Sequence, residues 1–189
     1  MKRPFLIGKK LYLRLLDEND VSEEYLSWLN DGEVTKYLET GKFPSTLETV
    51  KKYVASFNNS TNGMNFAIID KEAGLHIGNV TLNHINWIHR TADTGILIGN
   101  IKYHGKQYGI EAWSLLLEYA FERIGLRRIT AGAIADNVVS LNLMKKLGFV
   151  EEGISRKHCF VDGEYKDAIR MGLFKEEFLN CRKCFIEGI

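Results

Sequence analysis

Between Ala92 and Phe149 the hydrophobic period of the chain switches three times, and that alternation leaves few folds open. Residues 92 to 98 read as a strand. From near Gly109, the residues Ala112, Leu115, Leu116, Tyr119 and Ala120 recur at helical spacing, and Gly125 supplies a C-terminal stop. Leu126 to Ile134 returns to a strand pattern. Asn137 then caps a short helix carrying Leu141, Leu143 and Leu147, closed by Gly148. A β-α-β-α centre of this kind predicts an α/β (α+β) domain with a mixed sheet.

The flanks extend the same architecture. Leu11 to Leu16 alternates as a strand, and a helical region runs from Asp20 to about Leu38 with Tyr25, Trp28 and Leu29 on one face. Ser45-Thr46-Leu47-Glu48 has the capping-box pattern, and it precedes a stripe of Val50, Tyr53, Val54 and Phe57 at amphipathic helical spacing. Phe66 to Asp70 and His76 to Leu82 form a hairpin around Glu72-Ala73-Gly74. Two last strands, Phe149 to Cys159 and Tyr165 to Phe174, flank the turn dipeptide Asp162-Gly163. The expected sheet has about seven strands, flanked by about four helices.

Composition narrows the function. With 189 residues, two prolines and no Ser/Gly-rich linker, the chain reads as one domain. The net charge of +1 argues against a broad nucleic-acid or membrane-surface footprint. No stretch reaches the roughly 18 apolar residues of a membrane helix. The N-terminus lacks the sustained apolar region of a signal peptide, so a cytoplasmic location is expected. Three cysteines, Cys159, Cys181 and Cys184, fit a reducing compartment better than a disulfide framework. Cys181 and Cys184 have metal-like spacing without a second pair, and His158 beside Cys159 lacks further ligands, so no metal is expected.

His104-Gly105-Lys106-Gln107-Tyr108-Gly109-Ile110-Glu111-Ala112 lies between a strand and a helix. Small residues at such a turn let backbone N–H groups converge on an anion, where the helix dipole adds positive potential. Turn geometry alone also accounts for glycines there. The stretch is neither a Walker loop nor a GxGxxG motif. A second stretch, Asn137-Val138-Val139-Ser140-Leu141-Asn142-Leu143-Met144-Lys145-Lys146-Leu147-Gly148-Phe149, follows the next strand.

Together the two stretches resemble the acetyl-CoA motifs of the GNAT N-acetyltransferase superfamily, Q/R-x-x-G-x-G/A followed by N-x-x-S/A-x-x-L-Y-x-K-x-G-F. Ile85 to Gly99 and the hairpin Asp162-Gly163-Glu164-Tyr165-Lys166-Asp167 are similar to the ribosomal-protein N-acetyltransferase branch. The resemblance runs from about Leu11 to Phe178. It implies a domain over 9–178, a C-terminal tail over 179–189, and transfer of acetyl from acetyl-CoA to a primary amine by direct attack in a ternary complex. The acceptor it implies is a protein N-terminus or a small-molecule amine such as an amino sugar, an aminoglycoside or a polyamine. A homodimer through the C-terminal strands or tail is left open.

Three positions depart from the pattern: His104 replaces Gln or Arg, Gln107 replaces the middle glycine, and Met144 replaces a tyrosine that serves many relatives as general acid. A thioether donates no proton. These departures keep a second reading in view, a non-catalytic acyl-CoA-binding module.

The resemblance also assigns roles. Backbone groups near Leu97 or Ile98, on a strand that splays from its neighbour, take the acetyl carbonyl and pantetheine. His104, Gly105, Lys106, Gln107, Tyr108 and Gly109 cradle the pyrophosphate. Asn137 reaches pantetheine, or else acts as a plain helix cap. Ser140 protonates the leaving thiolate, or else tidies the first helical turn. Asp93 is the favoured base, with His84 and His89 as alternatives because imidazole titrates near neutrality. Trp28, Trp87 and Trp113 read as core or rim aromatics, Trp87 with the alternative of walling the acceptor site.

Overall fold

The computed structural model describes residues 3–58 and 60–186, with side chains described through 181. The chain divides into two compact units, Met1–Asn83 with Gly95–Leu116, and His84–Thr94 with Leu117–Ile189. It passes between them within strands β4 (His76–Asn86) and β5 (Thr91–Ile98) and within helix α4 (Tyr108–Glu118).

In the first unit, β1 (Leu6–Ile7), β2 (Leu11–Leu15), β3 (Met64–Asp70) and β4 pair as successive antiparallel neighbours. Leu11 and Leu13 are fully buried while Tyr12 and Arg14 are half-buried, the period-2 signature of a strand. Phe66 to Ile69 are all buried, which requires cover on both faces of β3. One cover is made by α1 (Glu23–Asn30) and α3 (Leu47–Ala55), whose Tyr25, Trp28, Leu29, Val50 and Val54 cluster with Ala67 and Ile69. Fully burying each such side chain contributes about 1.5–3 kcal/mol. A short helix α2 (Gly32–Thr35) follows α1 and is capped by Asp31.

The capping box lies one residue later than the sequence pattern predicts. Thr46 is the N-cap of α3 and Thr49 answers it, because Asn30 holds Ser45 through both its amide and its carbonyl, at 2.8 and 3.1 Å. Helix α3 also ends before Phe57, whose ring meets the half-exposed Tyr53 edge-on, so the stripe buries only Val50 and Val54.

In the second unit, β5 pairs in parallel with β6 (Arg128–Ile134) over Thr91–Asp93 only, and β6 continues antiparallel to β8 (Glu164–Phe174) along its whole length. The outermost strand is β7 (Val150–Val161), joined to β8 by Asp162 and Gly163 at φ of 51° and 83°. Two successive positive φ values make the primed turn expected of that dipeptide. After α4 the backbone loosens into a π-turn at Tyr119–Arg123 before Gly125. Asn137 caps α5 (Val138–Lys146), with its side chain accepting from the Ser140 amide at 3.1 Å.

Lys175–Ile186 forms a further helix, α6, where the sequence suggested the end of the domain and a tail. Phe178 is buried against Phe121, and the Cys181 thiol reaches the Lys146 carbonyl at 3.0 Å. The side chain of Cys184 lies outside the described residues. The described residues therefore form eight strands and six α-helices, and the α/β class with mixed pairing stands as expected.

Candidate active site

The first unit carries the loop after β5. The amides of Gly99 and Asn100 both donate to the Ile77 carbonyl, at 2.9 and 3.1 Å, and the Asn100 side chain caps one 3-10 turn over Ile101–Tyr103. His104 then turns back: its Nε2 lies 2.7 Å from the Ile98 carbonyl oxygen. A carbonyl only accepts, so Nε2 carries the proton in this contact. The Ile98 carbonyl is thereby engaged rather than free. The Leu97 carbonyl lies so close to Gly78 that a Cβ there would fall 2.2 Å from it.

Gly105 and Gln107 both have φ of +70°. Glycine adopts that conformation without strain, whereas a side chain there costs about 1–2 kcal/mol. The left-handed residues turn the chain into α4. The first intrahelical bond runs from the Glu111 amide to the Gln107 carbonyl at 3.2 Å, so the amides of Tyr108, Gly109 and Ile110 lack intrahelical acceptors. An anion at this end is favoured by those donors and by the helix dipole.

Asp70, at the end of β3, anchors both sides of the loop. Its carboxylate accepts from Tyr108 Oη at 2.7 Å, from Tyr103 Oη at 3.4 Å and from the Ala73 amide at 2.9 Å. Burial works to raise the Asp70 pKa, but these donors outweigh it and hold the carboxyl below its usual range. The same bond pushes the Tyr108 phenol up to about 12. An open groove of about 770 Å³ runs beside the loop backbone from Gly105 to Tyr108, lined also by Lys9, Lys10, Lys71 and Lys106. Sequence reasoning found Lys106 but missed Asp70, Tyr103 and the other three lysines. No local pattern links them, since Asp70 and Tyr108 are separated by 38 positions.

The second unit holds the favoured base. Asp93 is half-exposed, and its Oδ2 lies 3.2 Å from His84 Nδ1, while its Oδ1 accepts from the Thr130 hydroxyl. His84, Asp93, Thr130, Arg127 and Arg128 line a groove of about 340 Å³. Two of the three base candidates are thus partners in one contact. His89 is not among the residues lining that groove; its amide caps onto the Asn86 side chain at 2.9 Å.

Asn137 and Ser140 are adjacent through the cap bond, and both are half-buried. Met144 is fully buried, so the departure from tyrosine fills core. Trp28 and Trp113 are buried, the core alternative, whereas Trp87 is 48% exposed and is no core residue. Among the described residues no group of three or more His, Cys, Asp or Glu side chains is arranged to hold a metal ion, and no helix is long and apolar enough to cross a membrane.

A family model described as an acetyltransferase (GNAT) domain matches residues 10–150. The chain belongs to the GNAT acetyltransferase family. A spermidine N(1)-acetyltransferase of Vibrio cholerae is 28% identical over 92% of this chain and 98% of its own length. A crystal structure of spermidine N-acetyltransferase from the same organism, in complex with CoA and spermine, is 26% identical. It superposes with a TM-score of 0.82 over 90% of this chain and 99% of that one. A Bacillus subtilis protein named putative ribosomal N-acetyltransferase YdaF is 26% identical over 91% of this chain and 95% of its own length.

As a GNAT member the chain is an acetyl-CoA-dependent N-acetyltransferase acting on an amine.

Proposed function

We propose that this GNAT enzyme acetylates a small cationic amine, with a polyamine as the first acceptor to test, by direct attack in a ternary complex. The observation that carries the acceptor class is charge. From Asp17 to Phe57 the sequence has nine acidic and four basic side chains, in a chain whose overall charge is only +1. Glu23, Glu24, Asp31, Glu33 and Glu39 are exposed there. Such a segment concentrates polycations near it. The relatives named for spermidine support the same choice over a protein N-terminus.

For the donor, the amides from Gly105 to Gly109 receive the pyrophosphate, helped by the N-terminus of α4. Asn137 serves pantetheine and Ser140 the leaving sulfur. The proton on the amine is taken by the His84–Asp93 pair. With Asp93 accepting from Nδ1–H, the His84 Nε2 presents its lone pair. The amine nitrogen then attacks the thioester carbonyl, the C–S bond breaks, and the proton that the nitrogen sheds as the amide forms passes by way of the Ser140 hydroxyl to the departing thiolate. A thiol of reference pKa near 8.5 is a tolerable leaving group without a dedicated tyrosine.

Initial rates with spermidine, an amino sugar and an alanine-initiated peptide test this reading. The highest kcat/KM is expected for spermidine, weakening with salt, together with intersecting double-reciprocal lines. Preference for the peptide would overturn the acceptor class, and parallel lines the ternary mechanism.

A further inference from the structure

We propose that the lysine groove beside the loop is a subsite for the 3′-phosphate of coenzyme A, an inference that rests on the placement of the donor's pyrophosphate at the loop. Four lysines, Lys9, Lys10, Lys71 and Lys106, line the groove together with the loop backbone itself. Two of them are held in place. Lys10 Nζ donates to the Lys106 carbonyl at 3.2 Å and lies 5.9 Å from the Tyr108 ring centre, and Lys71 Nζ donates to the Gly8 carbonyl. An ammonium has three donors, so each retains capacity for a ligand.

The acids in the groove do not cancel this charge. Asp70 is occupied by two tyrosine hydroxyls and a backbone amide, which leaves Glu72 as the one exposed carboxylate among the lining residues. Backbone amides at a helix N-terminus are sufficient for a pyrophosphate. The lysines therefore supply positive potential beyond what that group uses. A phosphomonoester with a second pKa near 6 carries close to two negative charges at neutral pH, and ammonium groups bind it as point charges. On coenzyme A that group is the 3′-phosphate, on the same nucleotide that carries the pyrophosphate. One groove whose wall is the loop and whose rim is lysine suits both.

Calorimetric titration of CoA and of 3′-dephospho-CoA into the purified enzyme tests the subsite, with Lys9→Ala and Lys9→Glu as variants. Lys9 is exposed, and its replacement leaves the loop backbone intact. The wild-type enzyme should bind CoA about tenfold more tightly than the dephospho form, a difference of about 1.4 kcal/mol. Lys9→Ala should lower that preference severalfold, and Lys9→Glu should bring the two affinities close to equal. Equal affinities in the wild type, or a preference unchanged in both variants, would overturn the subsite while leaving the donor reading intact. Binding of neither nucleotide would overturn the donor reading and the subsite with it.

Discussion

Tyr108 Oη donates a 2.7 Å hydrogen bond to Asp70 Oδ1, tying the first residue of α4 to the last residue of β3. The bond fixes where the anion-facing end of the helix lies relative to the β3–β4 hairpin. Removing the donor in Tyr108→Phe leaves a buried carboxylate short of a partner. Such a loss costs about 1.5–3 kcal/mol for a bond to a charged group. The expected result is a lower Tm and weaker CoA binding, read by thermal unfolding and calorimetry.

The same pair contributes to the pH dependence of stability on both sides of neutrality. The folded pKa of Asp70 is depressed, so its contribution is present above the unfolded value near 4 and is lost as pH falls through the folded value. The folded pKa of Tyr108 is raised to about 12, so its contribution holds below pH ~10 and is lost between about 10 and 12. Asp70→Asn should lower stability at neutral pH and flatten both limbs of a Tm profile.

Gln107 holds a left-handed backbone at φ +70° where the family pattern has glycine. Gln107→Gly should stabilise the folded chain by about 1 kcal/mol and should not weaken CoA binding. Denaturant unfolding and titration check the two parts separately. A weaker affinity in that variant would mean that the Gln107 side chain itself contacts the cofactor.

Asn137 caps α5, and the proposed function also gives it to pantetheine. Asn137→Ala should cost about 1 kcal/mol of stability as a lost cap. Asn137→Asp keeps an acceptor for the Ser140 amide, and so should restore stability while leaving KM for acetyl-CoA raised. Full recovery of KM in the Asp variant would reduce Asn137 to a cap.

Much of the fold was legible because the period changes between residues 92 and 149 are marked by caps and glycines at each boundary. The turn at Asp162-Gly163 was equally readable, since few dipeptides adopt two positive φ values. The shift of the capping box to Thr46 was not. It depends on Asn30, which lies 15 residues away and competes for Ser45. Helix α6 was hidden by a weak stripe, in which Phe178 is the one fully buried side chain among the described residues. Its start did leave a signal: Glu177 accepts from the Phe174 amide at 2.7 Å, an acid three residues into a polar run.

The site divides the same way. The loop from His104 to Gly109 was found as a contiguous motif. Its supports, Asp70, Tyr103 and three of its lysines, come from other elements and have no sequence spacing to read. The His84–Asp93 contact was half seen, as competing candidates for one role. A strand turn brings residues nine apart into partnership, and a sequence cannot display that.

The most direct test of the account is spermidine-dependent release of free thiol from acetyl-CoA, followed across pH for the wild type and His84→Ala. The account predicts turnover in the wild type that depends on the amine. His84→Ala should lose roughly 100-fold or more in kcat/KM at every pH tested. Release no faster than hydrolysis with every amine tried, or a His84→Ala profile indistinguishable from wild type, would contradict it.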